Sequence, residues 1–187
     1  GESDILTELN RDTWANVLIP RMLSGHMQGR ILSMLSKIHT PKTILEIGTY
    51  TGYSALCLAE GLAEGGMLHT IDINEELEEM VSKYIQKSNM QDRITMHIGN
   101  ALEIIPTLDT EFDLVFIDAD KENYSNYFDM VIDRMPSGGI LIADNVLWSG
   151  KVLDQKEIEQ DEETGALNSF NQKVHEDPRV ENVRSEE

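Results

Sequence analysis

Two short segments concentrate oxygen ligands. Phe116-Ile117-Asp118-Ala119-Asp120-Lys121-Glu122-Asn123-Tyr124 sets two carboxylates and a lysine directly after an apolar run, and Asp144-Asn145-Val146-Leu147-Trp148-Ser149-Gly150 follows another. Brought side by side, Asp118, Asp144 and Asn145 offer two carboxylates and an amide oxygen without Cys or His. That is a hard donor set, suited to Mg²⁺, Ca²⁺ or Mn²⁺ rather than Zn²⁺. Lys121 stands three residues beyond Asp118. A divalent cation beside it would favour its neutral form, making it a base for a hydroxyl whose acidity the same cation increases. The competing reading is a solvated salt bridge among Asp118, Asp120 and Lys121. Against it, the aliphatic run 114–117 draws Asp118 into partial burial, where an unpaired carboxylate is costly. The five histidines show no His-x-x-x-His spacing and read as core or surface residues.

A second constellation lies upstream. Ile44-Leu45-Glu46-Ile47-Gly48-Thr49-Tyr50-Thr51-Gly52-Tyr53-Ser54 reads as strand, glycine turn and helix start in immediate succession. Gly48 and Gly52 let the backbone approach a ligand, and the free N–H groups of the following helix favour a polar or anionic group. The spacing is not the G-x-G-x-x-G of a dinucleotide site, since Tyr50 stands where a pyrophosphate would need close backbone approach. Asp72 follows Gly48 by twenty-four residues at the end of the next apolar run, placed to accept both hydroxyls of a ribose. Ribose without pyrophosphate points to S-adenosylmethionine. The alternative is that Asp72 caps the helix starting near Glu75.

Elements that alternate along the chain must position these groups. Apolar runs at 43–47, 67–71, 94–98, 114–117 and 140–143 read as strands, with helices expected over 53–63, 75–87, 101–105 and 124–135. Two helices precede them, the first carrying Trp14, Val17, Leu18 and Ile19 and the second Ile31, Leu32, Leu35 and Ile38, with Pro20 between. Near-continuous apolar strands alternating with helices predict a doubly wound α/β fold around a mostly parallel sheet, whose ligands bind at the carboxyl ends of the strands. No linker or repeat divides the 187 residues, so one domain is expected over 1–187. The run 154–163, with six acids and one lysine, reads as a solvated loop before a helix around 167–174.

Composition excludes several functions. The net charge of −19 repels phosphate backbones and anionic membranes, so non-specific nucleic-acid binding is disfavoured. The single Cys57 cannot form an internal disulfide, and no window approaches the roughly 18 apolar residues of a membrane span. The expectation is a soluble, cytoplasmic protein.

The chain resembles the cation-dependent catechol and caffeoyl-coenzyme-A type O-methyltransferases, particularly small bacterial members. The resemblance rests on Leu45-Glu46-Ile47-Gly48-Thr49 with Thr51-Gly52-Tyr53-Ser54, then Asp72, Phe116 to Tyr124, and Asp144 to Gly150. It implies a Rossmann-like core over 41–187 with the N-terminal helices of 1–40 covering the cofactor site, Asp118, Asp144 and Asn145 as metal ligands, and Lys121 as catalytic base. It also implies S-adenosylmethionine contacts from Met22, Ser24, Glu46, Gly48, Tyr50, Gly52, Tyr53, Ser54, Asp72, Gly99, Asn100, Ala101, Asp118 and Asp120. Trp148 is expected as an apolar wall for a planar acceptor, or else as plain packing. Asn100 stands where many relatives carry an Asp that meets the adenine amine, and its amide oxygen keeps the acceptor. The resemblance implies two more strands closing the sheet after Asp177-Pro178-Arg179-Val180, and the 187 residues stop short of that expected pair, whether by truncation or by a segment left out.

The expected activity is methyl transfer from S-adenosylmethionine to a hydroxyl of a catechol-like or hydroxycinnamoyl-type small molecule, by a homodimer. The rivals are a tRNA hydroxy-nucleoside as acceptor, which the charge disfavours without excluding, and a non-catalytic nucleoside-binding protein of the same fold.

Overall fold

Short apolar runs bounded by Gly, Asp or Pro become the strands of one all-parallel sheet in a computed structural model, which describes residues 2–183. The strands are β1 (Thr43–Ile47), β2 (Met67–Asp72), β3 (Ile94–Ile98), β4 (Leu114–Ile117) and β5 (Ile140–Ala143), in the spatial order β3-β2-β1-β4-β5. Side chains alternate between the two faces of a strand. Ile44 therefore joins Leu32, Tyr53, Leu58, Val81 and Tyr84 on one face, while Leu45 and Ile47 join Ile71, Val115, Ile117, Tyr124 and Phe128 on the other. Helices α1 (Asp4–Asn16), α2 (Gly25–His39), α3 (Tyr53–Ala59) and α4 (Glu78–Lys87) cover the first face. On the second lie α5 (Ala101–Ile104), α6 (Tyr124–Ile132) and α8 (Glu162–Glu176), the last reached through α7 (Gln155–Gln160). The doubly wound expectation is met.

Strand order reverses at β1, which pairs with β2 on one side and β4 on the other. A crevice opens at such a switch point, beyond the carboxyl ends of the strands. The ladder runs one residue past four strands: Gly48 N donates to Ile71 O (2.9 Å), Asp118 N to Ile47 O (2.9 Å), Asp144 N to Ile117 O (3.0 Å) and Gly99 N to Asp72 O (2.8 Å). Four of the expected site positions are thus fixed by backbone pairing before any side chain acts.

Helix extents and faces depart from the sequence reading. The helix expected over 53–63 ends at Ala59, because Gly61, Gly65 and Gly66 turn the chain back into β2. That expected over 124–135 ends at Ile132, and the one over 75–87 opens with a 3₁₀ turn at Glu75–Leu77. The acidic run 154–163 is helical rather than a loop: Asp154 caps α7 by accepting from Lys156 N (2.9 Å), and Lys151 lies 3.6 Å from Glu157 and 3.4 Å from Asp161. The apolar periodicity of the first two helices also misled. Helix α1 stops at Asn16, leaving Val17, Leu18 and Ile19 beyond it, and α2 buries Gly29, Leu32, Ser33 and Ser36 while exposing Ile31 and Ile38. Its inward face is small because α3 lies close: a Cβ at Gly29 would stand 2.6 Å from Tyr53 Cε1.

Candidate functional site

The glycine turn is held by hydrogen bonds from three directions. Asp72, the last residue of β2, accepts from Tyr50 N through Oδ2 (2.6 Å) and from Asn74 N through Oδ1 (2.9 Å). Asn74, not Asp72, caps the following 3₁₀ turn, so the helix-cap alternative for Asp72 does not hold. Each Asp72 oxygen keeps a further lone pair for a ligand hydroxyl. Tyr50 has a left-handed backbone (φ 50°), and its hydroxyl donates to Ile19 O (2.8 Å), tying the turn to the segment before α2. Gly48 has a reason the sequence did not give: a Cβ there would lie 1.9 Å from Asp118 O, so the ends of β1 and β4 approach too closely for any side chain.

Beneath the turn Glu46 is wholly enclosed, with 0% exposure. Thr70 Oγ1 donates to its Oε2 (2.5 Å), Thr49 and Thr70 hydroxyls are 2.5 Å apart, and Oε1 has no hydrogen-bond partner. Burial pushes its carboxyl up to about 8, opposed by the Ser54 and Thr70 hydroxyls and reinforced by the charges of Asp118 and Asp72. Glu46 is therefore a buried support of the turn rather than an open contact surface.

The ends of β4 and β5 bring Lys121, Asp118, Asp144 and Trp148 together. Lys121 is only 7% exposed, with Nζ 3.1 Å from Asp118 Oδ1 and 2.7 Å from the Tyr124 hydroxyl, 4.8 Å from the Tyr124 ring centroid and 5.9 Å from that of Trp148. The solvated-loop alternative for Lys121 fails on this burial. Tyr124 is itself placed by Ile117 O (3.3 Å) and Asp144 O (3.1 Å). Burial raises the Asp118 carboxyl above the usual range, Asp144 pushes in the same direction, and Lys121 opposes both. Asp144 accepts from Asn145 N through Oδ1 (2.7 Å) and from Gln28 Nε2 on α2 through Oδ2 (2.8 Å). Among the described residues no three His, Cys, Asp or Glu side chains converge as a metal-holding group; the expected set has two carboxylates and an amide.

The other expected contacts have partners or element positions of their own. Asp120 is exposed, accepting from the Tyr127 hydroxyl (2.5 Å) and from Asn123. Tyr53 is buried in the helical layer and donates to Glu2 (2.5 Å), so only its backbone faces the turn. Asn100 caps α5, its side-chain oxygen accepting from Leu102 N (3.0 Å), with Gly99 before it and Ala101 buried after it. Met22 is 61% exposed and Ser24 precedes α2 without a side-chain cap bond. Gly52 and Ser54 stand at the start of α3, Ser54 buried. Sequence reasoning missed Gln28, Tyr124 and the Thr49–Thr70 pair. Tyr124, one helical turn after Lys121, carried a readable signal; Gln28, 116 residues from its partner, carried none.

The whole arrangement is that of a Rossmann-like α/β domain with its ligand edge at the switch point between β1 and β4. A family model described as O-methyltransferase matches residues 1–185. The caffeoyl-CoA O-methyltransferase of Mesembryanthemum crystallinum is 36% identical over 170 residues, covering 86% of this chain and 67% of that protein. The catechol O-methyltransferase of Niastella koreensis is 35% identical over 145 residues, covering 75% of this chain and 66% of that protein. Among solved structures, the O-methyltransferase from Bacillus cereus in complex with SAH superposes with a TM-score of 0.88 at 30% identity, over 95% of this chain and 81% of that one. The chain belongs to the O-methyltransferase family. It spans from 55% to 69% of the length of the curated relatives it matches. No helix among the described residues is long and apolar enough to cross a membrane.

Proposed function

We propose that this chain moves the sulfonium methyl of S-adenosylmethionine to a hydroxyl of a small catechol-like or hydroxycinnamoyl-type acceptor. The observation that carries this reading is the buried Lys121 side chain, whose Nζ lies between Asp118, Tyr124 and Trp148 at the switch-point crevice. Asp72 accepts the ribose hydroxyls, while the turn from Gly48 to Ser54 receives the remainder of the cofactor. The Bacillus cereus relative was solved in complex with SAH, which supports the cofactor class.

Asp118, Asp144 and Asn145 would hold a divalent cation. The fit rests on an oxygen-only donor set and on two mutually repelling carboxylates, one of them raised by burial. When bound there, such a cation supplies Lewis acidity toward an acceptor hydroxyl and a fixed point for its oxygens. Lys121, oriented by Asp118 and Tyr124, takes the hydroxyl proton at Nζ. The acceptor oxygen forms its bond to the methyl carbon as the S–C bond breaks, and sulfur keeps the bonding pair as a neutral thioether. Trp148 flanks the acceptor ring beside Lys121, and the crevice holds the two reactants in line.

The test is methyl transfer assayed against catechols, hydroxycinnamoyl thioesters and undermodified tRNA, with and without EDTA. Transfer to one of the first two, stopped by EDTA and restored by Mg²⁺, Mn²⁺ or Ca²⁺, is the expected result. Lys121→Ala should retain binding of S-adenosylhomocysteine while losing roughly 10²–10⁴-fold in rate, with partial recovery as pH rises. Full activity after exhaustive EDTA dialysis would remove the cation from the mechanism. An unchanged rate in Lys121→Ala would remove the base.

A further inference from the structure

We infer that Gln28 is a positioning residue for the acceptor half of the site, orienting Asp144 for the cation; the inference rests on the role proposed above for Asp144. Gln28 Nε2 reaches from α2 across the sheet end to donate to Asp144 Oδ2 at 2.8 Å, and the backbone N–H of Asn145 holds the other oxygen at 2.7 Å. Both oxygens of this carboxylate are thus held by neutral donors, one from a helix and one from its own turn. The helix packs closely there: a Cβ at Gly29 would lie 2.6 Å from Tyr53 Cε1 and 2.8 Å from Cys57 Sγ of α3.

The choice of an amide has a chemical logic. Asp144 already stands near Asp118, which its charge disfavours. A glutamate at position 28 would bring a third negative charge without a donor for Asp144, and a lysine would neutralise Asp144 and occupy the place a cation needs. A glutamine donates a hydrogen bond while leaving the negative charge of the pair intact, so it fixes geometry without competing for the cation. Donors that orient metal-ligating carboxylates typically alter metal affinity by about ten- to a hundred-fold when removed.

The same residue joins two halves of the site. Tyr50 holds Ile19 O at one end of residues 19–28, on the cofactor turn, and Gln28 holds Asp144 at the other, on the acceptor edge. The segment carrying Met22 and Ser24 is therefore pinned to both strand ends rather than to one.

Direct binding of Mn²⁺, read as loss of the free-ion electron paramagnetic resonance signal, separates this from a packing role. The wild-type chain and the Gln28→Leu and Gln28→Lys variants would be compared, each also titrated with S-adenosylhomocysteine by calorimetry and melted without metal. Gln28→Leu should weaken Mn²⁺ about ten-fold or more while S-adenosylhomocysteine affinity stays within about two-fold. Gln28→Lys retains a donor for Asp144 and should keep the melting temperature, yet weaken Mn²⁺ further than leucine does. Mn²⁺ affinity unchanged in Gln28→Leu would overturn the inference while leaving the cation site standing, whatever the charge of Gln28→Lys does. No Mn²⁺ binding by the wild-type chain would overturn the cation reading itself, and the inference with it.

Discussion

Glu46 is the one wholly buried carboxyl among the described residues, and its environment dictates a pH dependence opposite to that of a surface acid. Burial raises it from 4.5 to about 8, so the folded chain holds a proton between those values that the unfolded chain has released. Folding is therefore favoured below the unfolded value, and that contribution is lost as pH rises toward 8. Thr70, itself bonded to Thr49, donates to Oε2, and ionisation would leave the enclosed carboxylate with hydroxyl donors alone. Glu46→Gln mimics the neutral form. The expected outcome is a variant whose stability relative to wild type rises between pH 5 and 8, by an amount on the order of a few kcal/mol, in urea melts at several pH values. A constant difference across that range would show that Glu46 is ionised in the folded state. The sequence showed an acid near a strand end, but could not show that the turn closes over it, because that depends on Thr49 of the turn meeting Thr70 of β2.

At the scale of elements, strands were far more legible than helices. The runs 43–47, 94–98, 114–117 and 140–143 became β1, β3, β4 and β5 with the expected bounds, and β2 gained only Asp72. A buried parallel strand is written in consecutive apolar residues, whereas a helix end depends on caps and on neighbours. Helix α2 shows the difference: its apolar stripe faces outward, because the inward face must be small enough to admit Tyr53 and Cys57 of α3. Strand pairing also created a feature that local spacing concealed. His69 on β2 and His97 on β3 meet with Nδ1 and Nε2 3.1 Å apart, ring centroids 5.4 Å apart, and no sequence pattern joins them. One proton lies between the two nitrogens, and a doubly protonated pair would set two donors against each other. Burial depresses both rings below 6.5, with His97 adding to the depression of His69. The unfolded chain then binds more protons as pH falls below 6.5, so stability is full above that value and declines beneath it. His97→Gln should flatten the decline between pH 6.5 and 5, at a cost of roughly 1 kcal/mol near neutrality. A variant that loses stability as steeply as wild type over that range would assign the acid sensitivity elsewhere.

Across the whole molecule, charge and apolar surface are segregated. The chain carries 34 acidic residues against 15 basic, yet residues 13–45 contain no Asp or Glu. The same stretch holds Trp14, Leu18, Ile19, Met22, Met27, Ile31, Met34 and Ile38 among the exposed large hydrophobics. On α2, Met27, Ile31, Met34 and Ile38 follow one another at intervals of four, three and four, the spacing of a helix-pairing seam. Arg30 and Lys37 beside them are both paired with Glu60, at 2.7 and 2.6 Å, so the face is close to neutral. Two copies with a net charge of −19 repel over most of their surfaces, and this is where they approach with least repulsion. The expectation is self-association of α2 against α2 of a second copy. Raising salt should strengthen it, because screening weakens the long-range repulsion while the apolar contact is retained. Met27 and Ile38 are 79% and 74% exposed, so Met27→Glu and Ile38→Glu should leave the fold intact and return the chain to monomer in sedimentation velocity. Variants that sediment as the wild-type chain does would place the contact elsewhere than on α2.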